Sequence, residues 1–167
     1  SSIKAFANAE ASQARFEQSL KQIAKASDEE VEALRRQQLA LQQTTRFEDD
    51  AIASGQAFLG TFQLNARQIE TLTPRLLDMA EGLRDASGAT IGLEQASNML
   101  GKAIQLGTVG MLAKAGVTIP GVTKAEQDLF KQTFELATIE ERVAMIAKLV
   151  DGNFKGQAVT AGQTLAG

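Results

Sequence analysis

Cysteine, histidine, tryptophan and tyrosine are all missing from this chain. Without cysteine there is no disulfide and no thiolate metal site, and the redox compartment leaves no mark on the sequence. Without histidine the commonest general base and metal ligand at neutral pH is gone. Without tryptophan and tyrosine the usual aromatic anchors of binding hot spots are gone too. The eight aromatic residues are all phenylalanine, which suits packing. Proline occurs only as Pro74 and Pro120, so helices can run long. No secretory signal stands out, and no uncharged run reaches the ~20 residues that span a bilayer as a helix. Seventeen basic residues meet twenty acidic ones for a net charge of −3. That balance is too mild to steer the chain toward nucleic acid or an acidic membrane, and Arg35-Arg36 is the only adjacent basic pair.

What is present fits one helical domain with an appended helix. The chain has 167 residues, 44% of them hydrophobic and 22% charged. A compact chain of this length buries roughly two-thirds of its unfolded surface. It opens on Ser1-Ser2 with no initiator methionine and closes on Leu165-Ala166-Gly167, so we expect a piece of a longer protein.

Residues 3–26 read as one amphipathic helix. Phe6, Ala9, Gln13, Phe16, Leu20 and Ile23 recur at steps of three and four, an a/d seam interrupted by one glutamine. Two readings stay open. The helix lies on the rest of the domain, or Phe6, Phe16, Leu20 and Ile23 form a coiled-coil seam for self-association. Residues 27–167 then make the compact helical domain, with a Gly/Ala/Thr-rich end.

Helix starts are marked by a hydroxyl or amide residue three positions before Glu or Gln, the reciprocal arrangement of a capping box. Ser27/Glu30, Thr45/Glu48, Asn65/Gln68, Thr123/Glu126 and Thr138/Glu141 all fit. They predict helices over 28–43, 46–62, 66–72, 124–136 and 139–150. Pro74 at a first helical position predicts a fresh start after Thr73 and a helix over 74–85. A further helix over 92–106 stops at Gly107, and a short helical turn covers 109–114. Residues 117–122, β-branched and bounded by Gly and Pro, are the one strand candidate. One such segment cannot make a sheet, so the fold class is all-α, a multi-helix orthogonal or bundle domain. The Gly/Ala/Thr-rich end forms a weak helix around 154–161 or frays.

Three constellations could carry chemistry. Glu29-Glu30, Asp49-Asp50 and Glu140-Glu141 are acid pairs, and glycoside hydrolysis uses two carboxylates. Each pair falls in a predicted first helical turn, where acids meet the positive end of the helix dipole. Adjacent helical residues also point ~100° apart and do not face each other. Gly101-Lys102 echoes the end of a phosphate loop, but Ala96 stands in place of the first glycine and Ala103 in place of the magnesium-binding hydroxyl. Ser1 and Lys4 have Ser-x-x-Lys spacing without the rest of such a site. We expect no enzyme, no cofactor and no metal.

The order of motifs resembles the globular region of phage tail tape measure proteins over residues 28–165. The elements are Thr44-Thr45-Arg46-Phe47 before an acidic helix start, Ala57-Phe58-Leu59, Thr73-Pro74 with Leu76-Leu77-Asp78-Met79-Ala80, Leu100-Gly101-Lys102-Ala103, Met111-Leu112-Ala113-Lys114-Ala115-Gly116-Val117, and Phe154-Lys155-Gly156-Gln157-Ala158. The family commonly has paired glycines where Lys155-Gly156 stands here. The resemblance implies a structural role: a long helical chain inside the tail tube that sets tail length and leaves when DNA is ejected. Its implied partners are the tail tube, tail-tip proteins and tail-assembly chaperones. Its implied place is the virion tail, after synthesis in the bacterial host cytoplasm. The alternatives are a helical protein-binding adaptor that clasps a partner helix, and a wall hydrolase with an acid pair facing a cleft.

Overall fold

The computed structural model describes residues 2–166. Among them the chain is all-helical, and nine helices pack against one another: α1 (Ser2–Gln22), α2 (Asp28–Thr44), α3 (Asp49–Gly60), α4 (Ala66–Gly82), α5 (Gly92–Leu106), α6 (Gly110–Lys114), α7 (Lys124–Leu136), α8 (Ile139–Phe154) and α9 (Gln157–Ala166). An isolated bridge between Arg84 and Thr90 is the sole β pairing among the described residues.

The capping chemistry explains most of the starts. Ser27, Asn65 and Thr138 each accept from the amide three residues on, and Glu30, Gln68 and Glu141 reach back to the cap amide. Thr123 accepts from the Glu126 amide, but the Glu126 carboxylate reaches one residue further, to the Val122 amide at 2.8 Å. Gly107 closes α5 in the left-handed region at φ 73°, a conformation that favours glycine.

Thr45 is a correction. It does not open α3. Its hydroxyl donates to the Leu41 carbonyl at 2.7 Å and accepts from the Phe47 amide, so it closes α2, and α3 begins only after Glu48. The same residue pattern therefore serves the opposite helix end.

Pro74 is a second correction, because α4 runs unbroken through it. A proline inside a helix removes the hydrogen bond to the carbonyl four residues back, here that of Glu70. The Gln37 side-chain amide, from α2, donates to that carbonyl at 2.9 Å. Arg75 Nη1 donates to the neighbouring Thr71 carbonyl at 3.0 Å. The break foreseen at Thr73 is thus repaired by side chains, one of them from another helix.

Helix α4 is the hub. It packs against α2, α3, α5, α8 and α9, and Ile69, Leu72, Leu76, Leu77, Met79 and Ala80 on it are buried. Two glycines allow close crossings around it. A Cβ on Gly55 would stand 2.9 Å from Leu76 Cδ2, and one on Gly101 would collide with the Phe62 ring. Gly101 is therefore an α5 packing position, with no loop around it to cradle a phosphate. Residues 117–122 form no strand: the chain bends at Pro120 and Val122, and Gly121 takes φ 122°. Val117 and Ile119 are buried, and Asn153 of α8 pairs both backbone groups of Thr118, accepting from its amide at 2.8 Å and donating to its carbonyl at 3.1 Å. One side-chain amide takes the place of a neighbouring strand. At the C-terminal end α8 continues to Phe154, and α9 is a full helix seated on α4 and α2.

Candidate functional site

The four residues of the N-terminal seam do not share one environment. Phe16 is 4% exposed and Leu20 1%, and both belong to the same core cluster as Leu34, Leu59 and Ile69. α1 reaches that core by packing on α3 and α2. Ile23 is 48% exposed and lies just past the end of the helix. The Phe6 side chain lies outside the described residues. Phe16 and Leu20 are thus covered within the chain itself. Burying each of these two side chains stabilises the fold by about 1.5–3 kcal/mol.

The acid pairs are divided in the same way. Glu30 and Glu141 are engaged in capping boxes, and the Thr138 contacts hold the Glu141 carboxyl below its ordinary range. Asp49 takes the Arg35 guanidinium at 2.8 Å. Asp50 lines a groove of about 350 Å³ between α1 and α3, together with Arg15, Phe16 and Phe58. Asp50 is the one carboxylate among the residues lining that groove. A pair of facing acids, as glycoside hydrolysis requires, is not assembled there. No group of three or more acidic side chains placed to hold a metal ion occurs among the described residues. None of their helices is long and apolar enough to cross a membrane.

The most developed polar feature is one that the sequence pattern does not announce. Gln38, Gln56 and Thr73 are each fully buried. Gln38 Nε2 donates to Gln56 Oε1 at 2.7 Å. Gln56 Nε2 donates to Gln37 Oε1 at 3.0 Å and to Thr73 Oγ1 at 3.3 Å, and the Thr73 hydroxyl donates to the Ile69 carbonyl at 2.6 Å. Arg35 closes the outer end by donating to both Gln38 Oε1 and Asp49. The chain of bonds joins α2, α3 and α4 and includes the glutamine that repairs the Pro74 gap. Neutral amides and a hydroxyl, all paired, are the composition of a locking network, since a buried polar group left unpaired costs about 1–3 kcal/mol.

Further ties repeat this theme. Asp78 of α4 accepts from the Gly156 and Ala158 amides at 3.2 and 2.9 Å and so caps α9 from outside its own sequence. Burial pushes its carboxyl above the usual 3.8, against the two backbone donors that pull it down. Arg75 grips Asp151 in a two-pronged pair at 3.1 and 2.9 Å. Arg142 donates to the carbonyls of Ile104, Phe134 and Glu135, closing the ends of α5 and α7 together. These ties hold separate helices together.

The apolar surface is concentrated elsewhere. In α7 only Phe134 is fully buried, with Phe130 stacked beside it at 6.5 Å between ring centroids. Leu129 and Leu136 are 62% and 78% exposed. Comparison of the chain with protein-family models, with curated proteins and with solved structures returns no match.

Proposed function

We propose that the chain is a non-catalytic structural segment of a phage tail tape measure protein, acting in tail assembly, tail-length control and DNA ejection. The observation that carries this reading is the ordered series of motifs between residues 28 and 165, from Thr44-Thr45-Arg46-Phe47 to Phe154-Lys155-Gly156. The fold is compatible with it. The polar side chains described above are engaged in caps and interhelix ties, as a structural module needs. The proposed partners are the tail tube, tail-tip proteins and assembly chaperones, and the proposed location is the virion tail.

The test is made on the phage or prophage that encodes the chain. Purified tails should contain its peptides by mass spectrometry. An in-frame deletion in a helical stretch of the full-length protein should shorten the tails by about 1.5 Å per residue removed. Tails of normal length after such deletions, or tails that lack the chain, would overturn the proposal. The second reading, a helical adaptor without catalytic activity, is favoured by the outward Leu129 and Leu136. It would be supported if the chain were recovered in stoichiometric complex with a partner outside the tail.

A further inference from the structure

Helix α7 carries two apolar faces, and its own domain covers only one. Phe130 and Phe134 face the core. On the helical wheel Ala125, Leu129, Gln132 and Leu136 fall within one arc of roughly 60°, about 145° away from those two phenylalanines. All four are exposed. Val122, just ahead of the helix, is 94% exposed and extends the apolar surface at that end.

The flank of this stripe is patterned as well. Lys124, Asp128, Lys131 and Glu135 lie along one side of it, and all four are exposed. The signs alternate along the helix as plus, minus, plus, minus. A second copy laid antiparallel, with the two-fold axis near Leu129 and Phe130, brings Lys124 opposite Glu135 of the partner and Asp128 opposite Lys131 of the partner. The symmetry maps this flank onto itself, so each sign meets its opposite in both halves. On the other flank Glu126 falls opposite Thr133, without a like-charge contact. A parallel pair would set this row against the other flank of the partner, where Glu126 and Thr133 stand, and not against the row itself. The row is self-complementary only in the antiparallel sense, which is what an isologous two-fold interface requires.

We infer that the outward face of α7 is the docking surface for a second copy of this chain, packed antiparallel about a two-fold axis. Leu129 and Leu136 supply the apolar contact, and the Lys124/Asp128/Lys131/Glu135 row fixes direction and register. A helix of 13 residues is ~20 Å long. One helix pair of that length buries less than the ~800 Å² per partner of a standard interface, so the dimer is weak and concentration-dependent. The inference stands independently of any role in a tail.

The test is sedimentation equilibrium on the whole chain over a concentration series, with circular dichroism to confirm folding. The wild type should shift from monomer to dimer with rising concentration. Leu129→Asp with Leu136→Asp should weaken the association at least about tenfold with helix content unchanged. Lys124→Glu with Lys131→Glu makes the row all acidic, and Asp128→Lys with Glu135→Lys makes it all basic. Each of these variants alone should stay monomeric, and an equimolar mixture of the two should dimerise. A wild type that remains monomeric up to about millimolar concentration would overturn the inference and leave the face to an unlike partner. So would a dimer indifferent to the leucine changes, or charge-reversed variants that fail to pair when mixed.

Discussion

Helices α1 and α7 look alike as sequence and differ as structure. Each is amphipathic, and each places large apolar residues at helical spacing. In α1 the Phe16 and Leu20 positions turn inward and join the main core. In α7 Phe130 and Phe134 do the same, yet Leu129 and Leu136 are left facing solvent. The contrast teaches that a seam shows only that a face is apolar. Which face is covered, and by what, depends on the neighbouring helices. α1 has α2 and α3 beside it, whereas α7 is held chiefly from behind by α8 and by the Arg142 clamp at its C-terminal end.

The largest effect should come from the inward seam. Phe16→Asp with Leu20→Asp puts two charges into the core, and even alanine at such sites costs about 2–5 kcal/mol each. The double variant should unfold the domain or shift its urea midpoint drastically, whereas the Leu129/Leu136 pair should leave the midpoint within about 0.5 kcal/mol of wild type. Equal effects from the two pairs would erase the contrast. Next in size is Gln56→Leu, which strands Gln38 Nε2 and removes a partner from Gln37 and Thr73. A loss of about 1–3 kcal/mol is expected in urea melts. A neutral result would mean that the network closes around the change.

Asp78→Ala should cost about 1–2 kcal/mol by uncapping α9, and hydrogen exchange should show the loss concentrated in residues 157–164. Uniform loss across the chain would argue against a capping role. The smallest effect concerns pH. The Arg75 guanidinium holds the Asp151 carboxyl below the usual 3.8. A depressed acid contributes stability that is present above 3.8 and is lost as the pH falls through the lower folded value. Asp151→Asn should therefore differ from wild type at pH 7, by under about 1 kcal/mol, and converge with it in strong acid. Asp78 has the opposite sign, because its carboxyl is raised. Its term favours the fold as the pH falls toward 3.8 and partly offsets the acid loss.

The local signals were legible where chemistry is local. Ser27, Asn65, Thr123 and Thr138 start helices, and Gly107 stops one, because the groups that decide each end lie within four residues of it. Thr45 misled because a hydroxyl can accept from a following amide or donate to a preceding carbonyl, and the choice was made by the longer reach of α2. Pro74 misled because its missing donor is replaced by Gln37, which lies 37 positions earlier in the chain. The locking network was invisible for the same reason: glutamines 38 and 56 are ordinary surface residue types until three helices enclose them. The outward face of α7 had a readable trace in the spacing of Leu129 and Leu136 and in the alternating charges beside them.

Hydrogen exchange on the wild-type chain at two concentrations, one below and one above the onset of association, tests most directly whether the free apolar face lies on α7 and not on α1. Exchange should be slow in residues 16–22 at both concentrations, and protection in residues 124–136 should rise with concentration. Protection that rises with concentration in residues 16–22, while residues 124–136 stay unchanged, would contradict that placement.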